Sequence, residues 1–206
     1  MLRNALLIHK HKGCIMDSLS PTFNESIQTL AAKYQQVFEK VNHTLQEAQG
    51  KLKLQAIFEL NSITTPSLRH QSKEKLKYFE SHLTKVKAFA DAQVKNYIDE
   101  LTIVTEQLEP SQQQAFLNEA MRTISQRNEQ RYMEYHIQQQ WTARMRDLLD
   151  FFDERAGQFG VMDNRLSFNE PEALAAYRVR LYQVDSLANL VQQLNKTAQP
   201  SSNPTA

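Results

Sequence analysis

The chain has 206 residues, a net charge of +1 and 41% hydrophobic residues, enough for one domain with a sizeable core or two small ones. Its charges, 23% of residues, mix both signs, which excludes a global field drawing in nucleic acid or an anionic membrane. One cysteine excludes an intramolecular disulfide and a Cys-rich zinc site, and four glycines are too few for a many-turned sheet, so an all-α fold is expected.

Residues 1–18 read as a leader or flexible arm. In "ALLIHKHKGCIMDSLSP", Ala5 to Pro21, the pair Gly13-Cys14 stands where a bacterial lipoprotein would be cleaved and acylated, which makes Cys14 a candidate lipidation site. A secretion signal needs an apolar core of about 7–15 residues, and Ala5 to Ile8 supply only four. His11 and Lys12 occupy places meant for small or apolar residues, so the signal as written is broken, and Met16 offers an alternative start. His9, His11 and Cys14 lie close enough to bind copper or zinc loosely, but a flexible terminus has nothing to orient them, and no metal is expected.

Four internal prolines, Pro21, Pro66, Pro110 and Pro171, mark four helix starts, because proline suits the first turn of a helix. Ser20, Thr65 and Asn169 are the matching candidate caps. The first helix carries Phe23, Ile27, Leu30, Tyr34, Val37, Val41, Leu45 and Ala48 in steps of three and four, and "LKLQAIFEL" extends it to Leu60 with a bend at Gly50. The second carries the near-heptad Leu76, Phe79, Leu83, Val86, Ala90, Val94, Tyr97, Leu101, Val104 and Leu108.

The third helix runs from about Ser111 to Ala156, with Leu117, Met121 and Ile124, then Tyr135, Trp141, Met145, Leu148 and Phe152, and Gly157 and Gly160 end it. "FGVMDNRLSF" is a loop or a small hairpin turning at Asp163-Asn164. The last helix carries Leu174, Tyr177, Leu181, Val184, Leu187, Val191 and Leu194. Short connections force antiparallel neighbours. The expectation is an elongated antiparallel four-helix bundle, up-down-up-down with long helices, over 19–195, followed by a disordered tail at 196–206.

Chemistry is sparse. His43, His70, His82 and His136 lack the partners of a carboxylate-bridged metal centre, and neither a phosphate-binding glycine loop nor a nucleophile elbow is present. No catalytic residue and no cofactor are expected. "RYMEYHIQQQWTARMR" is the most unusual composition. Tyr132, Tyr135, His136 and Trp141 stand there among arginines and form a candidate protein contact, set against a plain reading in which Tyr135 and Trp141 are core and the arginines pair with Glu134 and Asp147.

One passage resembles a known family. "FGVMDNRLSFNEPEALAAYRVRLYQVDSLANLVQQL", Phe159 to Leu194, is similar to the C-terminal part of the DUF3053-like bacterial helical lipoproteins. Gly160, Phe168, Pro171, Leu174 and Tyr177 stand in the places of the short passage before that family's last helix. The resemblance covers about a sixth of the chain. It implies a non-enzymatic helical protein of the cell envelope that acts by protein contact, reaching a membrane only through a lipid anchor. The alternative is a cytoplasmic coiled-coil adaptor or scaffold that self-associates through the near-heptad stripe. Either way a protein partner or a homo-oligomer is expected, and nucleic acid is not.

Overall fold

The computed structural model describes residues 20–197; the arm with His9, His11 and Cys14, and the tail from residue 198, lie outside them. The described chain is all-α with one small hairpin. Its elements are α1 (Pro21–Leu52), a 3-10 turn (Leu54–Phe58), α2 (Leu60–Thr64), α3 (Pro66–Thr105), α4 (Pro110–Glu154), the strands β1 (Phe159–Met162) and β2 (Arg165–Phe168), and α5 (Pro171–Thr197). Pro21, Pro66, Pro110 and Pro171 are each the first residue of a helix, where the missing N–H costs nothing.

The caps explain the boundaries. Ser20 Oγ accepts from Phe23 N at 3.2 Å and its carbonyl from Asn24 N at 3.1 Å, so it caps α1. At α5 the position falls instead to Glu170, whose carbonyl accepts from Leu174 N at 3.2 Å. Asn169, the expected cap, donates its N–H to the Gln158 carbonyl at 3.0 Å and closes the base of the hairpin. Gly157, at φ 83°, takes the left-handed conformation just beyond α4, while Gly160 lies within β1, opposite Ser167.

The first helix ends earlier than its apolar pattern suggests. Gly50 stays helical, α1 stops at Leu52, and Lys53 turns left-handed at φ 49°, ψ 49°. Burial drives the break: the 3-10 turn that follows takes Leu54 to 4% and Ile57 to 2% exposure. A side chain at a left-handed position is strained. Lys53→Gly is therefore expected to stabilise the protein by about 0.5–1 kcal/mol, read as a higher urea midpoint at unchanged slope.

The chain divides into two units, Met1–Thr44 with Lys85–Met133, and Leu45–Thr84 with Glu134–Ala206. In the first, Phe23 meets Phe116 edge-on at 5.5 Å and Arg131 lies 5.6 Å over the Phe38 ring. Both pairs have the same sequence offset, so α1 and α4 run parallel here. Asp91 pairs with Arg131, and Thr105 lies near Gln113; ascending α3 descends α4, so α3 is antiparallel to both. The buried side chains include Phe23, Ile27, Leu30, Tyr34, Phe38 and Val41 from α1, and Ala90, Val94, Tyr97 and Leu101 from α3. Phe38 is buried in preference to Val37, and Phe116 and Ala120 in preference to Leu117 and Met121. The larger Phe ring removes more apolar surface from water than valine in the same turn.

In the second unit the start of α3 packs antiparallel to the end of α4, with ion pairs from Arg69 and Lys73 to Asp153 and from Arg146 to Glu80. The segment α5 is antiparallel to α4 in turn: Arg180 pairs with Asp147, and Tyr177 lies 5.6 Å from Phe152. The hairpin pairs Phe159 with Phe168 and Met162 with Arg165. Its two-residue turn has φ 50° at Asp163 and 59° at Asn164, the geometry that matches strand twist and that Asp and Asn tolerate. Ile63, Leu148, Phe151 and Phe152 form the core, packed against Phe58, Phe159, Leu166, Phe168, Ala176 and Tyr177.

Candidate functional site

The segment from Arg131 to Arg146 does not fold into one cluster. Tyr132 belongs to the first unit, while Tyr135, His136 and Trp141 belong to the second. Tyr132 is 41% exposed, and its hydroxyl donates to Asp91 Oδ1 at 3.0 Å. Its ring lies 4.6 Å from Lys87 Nζ and 5.4 Å from the Arg131 guanidinium. Asp91 also accepts from Lys87 and Arg131. Tyr132 is thus the outer wall of a closed charge network.

The other three differ from one another. Tyr135 is 4% exposed and belongs to the core. His136 is exposed, and Gln140 Nε2, an obligate donor, lies 2.8 Å from its Nε2. Trp141 is half-buried, and its buried Nε1 has no hydrogen-bond partner among the described residues. The arginines also pair differently from the sequence expectation: Arg131 goes to Asp91, Arg146 to Glu80, and Asp147 is taken by Arg180 from α5. Arg146 and Asp147 are adjacent in the helix and do not face each other, so each reaches a partner on a neighbouring helix.

The carboxylates of Glu100 and Asp153 and the hydroxyls of Tyr34 and Tyr97 are clearly perturbed by the contacts around them, and burial lowers Arg127. Hydrogen bonds from Lys33 and Tyr34 hold Glu100 below the usual carboxylate range. Burial, assisted by that bond to Glu100, pushes Tyr34 up to about 12. Burial alone pushes Tyr97 up to about 12 against the pull of Arg127. Burial opposes the charge on Asp153, but hydrogen bonds from Lys73 and Arg69 outweigh it and hold that carboxyl down. These carboxylates move down and these tyrosines up, both away from the neutral range where a general acid or base works best.

Among the described residues no group of three or more His, Cys, Asp and Glu could hold a metal ion, and no helix is long and apolar enough to cross a membrane. What the sequence reading missed lies on the surface of the second unit. Val161 and Met162 on β1, and Val179, Tyr182 and Leu190 on α5, are large apolar side chains exposed to water, Tyr182 at 74%. The signal was present in α5 as a second apolar stripe, offset from the inward one. No family model, no curated protein and no solved structure matches the chain.

Proposed function

We propose that the chain is a bacterial envelope-associated helical-bundle protein that acts by protein–protein contact and carries out no catalysis. Its four long helices, α1, α3, α4 and α5, are taken to alternate up and down. The observation that carries the contact reading is the row of large apolar side chains left in water on α5, with Tyr182 at 74% exposure. Exposed apolar side chains in a row fit a surface that a partner covers.

The envelope reading rests on the resemblance of residues 159–194 to the helical lipoproteins. Its support is local: two of the residues that carry the resemblance, Phe168 and Tyr177, pack against one core cluster. Their rings lie tilted, 5.3 Å apart centre to centre, and Pro171, between them in sequence, opens α5. Fractionation with palmitate labelling of an untagged chromosomal copy tests it. Labelled, membrane-associated protein is the expected result, and a wholly cytosolic, unlabelled product beginning at Met16 overturns it.

The rival reading is a cytoplasmic coiled-coil adaptor. It drew on the near-heptad stripe of α3, but Leu76, Phe79, Leu83, Ala90 and Leu101 are each 0% exposed, so that stripe is already spent within the chain.

A further inference from the structure

Helix α5 has two apolar stripes, and its packing uses only one. Ala173 and Val184 are buried, with Leu174, Tyr177, Leu181 and Leu187 half-buried beside them. The second stripe runs through Ala175, Val179, Tyr182, Ser186 and Leu190, all exposed, in the steps of three and four that keep residues on one helical face. Along one edge of it stand Arg178 and Asp185, both exposed and one heptad apart. Among the described residues neither takes part in an ion pair.

The geometry points to a second copy of this chain as the occupant of this face, with two α5 helices packed antiparallel across a twofold axis near Tyr182. Turned end for end, the stripe meets its own complement. Ala175 comes opposite the partner's Leu190 and Val179 opposite the partner's Ser186, a small side chain against a larger one at each level. Tyr182 lies beside the partner's Tyr182 on the axis.

The charges fix the direction. A twofold axis across antiparallel helices brings the same edge of each to the same side. Arg178 then faces the partner's Asp185, and the symmetry repeats the pair. In a parallel arrangement the twofold axis runs along the helices and puts this edge of each on opposite sides, so Arg178 and Asp185 would not meet across the seam. This inference rests on the contact reading and names its partner, but it holds in either compartment.

Sedimentation velocity of the full chain across the micromolar range tests it, with four variants. The wild type is expected to associate reversibly to a dimer. Arg178→Asp and Asp185→Arg should each weaken association about tenfold or more, and the double swap Arg178→Asp with Asp185→Arg should restore it. Tyr182→Cys in a Cys14→Ser background should cross-link to itself under mild oxidation.

A strictly monomeric wild type overturns the inference, including one whose α5 face is protected from hydrogen exchange by its own residues 1–19. Single swaps that sediment like the wild type also overturn it, because dimerisation then uses another face. A cytosolic protein that still dimerises through α5 sinks the envelope reading alone. A palmitate-labelled monomer sinks this inference alone.

Discussion

Truncating Phe152 to alanine is expected to cost about 4 kcal/mol of stability, the largest loss among the substitutions considered for this protein. Phe152 is 0% exposed. It lies 5.5 Å from Phe151, 5.0 Å from Phe159, 6.2 Å from Phe168 and 5.6 Å from Tyr177, ring centre to ring centre. Those rings come from α4, both strands and α5, so the hole left by the missing ring can close only if the hairpin moves. Incomplete collapse is what raises the cost of a large-to-small change above the loss of transfer energy.

Phe152→Leu keeps most of the volume and should lose about 1.5 kcal/mol or less. Equilibrium urea unfolding of the two variants checks both figures. Equal losses for the two would show that retained bulk recovers nothing, which would refute the cavity account.

Asp153→Ala is expected to cost about 2–3 kcal/mol, through the charge it strands. Arg69 is 2% exposed; its Nε donates to Asp153 at 2.5 Å and its Nη1 to the Ile63 carbonyl at 2.7 Å. Without Asp153 the guanidinium is buried with one edge unpaired. The figure lies below the usual range for a broken buried pair, because the Asp153 side chain is 42% exposed and water softens the loss. Arg69→Met, which removes the buried charge, should cost less than Asp153→Ala; the reverse order would refute this account.

The same carboxyl sets an acid response. Asp153 is held below its ordinary value near 3.8, so the folded chain binds its proton less readily than the unfolded one. The stabilisation is complete above that value and drains away as pH falls through the lower folded value. The gap in thermal stability between wild type and Asp153→Asn should therefore narrow as pH falls from neutral to about 3. A gap constant with pH would count against the ion pair.

Much of the helical layout was legible in the sequence because proline acts locally. Its ring and missing N–H constrain the chain wherever it sits, so Pro21, Pro66, Pro110 and Pro171 marked helix starts without reference to tertiary structure. The Asp163-Asn164 turn was legible for the same reason.

Features settled by long-range packing were not. The end of α1 at Leu52 depends on where Leu54 and Ile57 find burial. The choice of Phe38 over Val37 depends on which neighbouring helix lies alongside. The candidate site was the least legible part. Tyr132 and Tyr135 are three residues apart and read as one aromatic cluster, yet one is 41% exposed and the other 4%.

The two-residue turn between β1 and β2 has a consequence for how this chain tolerates change in length. Side chains on a strand alternate between faces, so adding or losing one residue in the turn would send Phe168 to the opposite side and bring its neighbour Ser167 against Phe152. Descendants of this sequence should therefore keep Asp, Asn or Gly at positions 163 and 164 and conserve the spacing between Phe159 and Phe168, with insertions and deletions excluded from a loop that otherwise lies open to solvent.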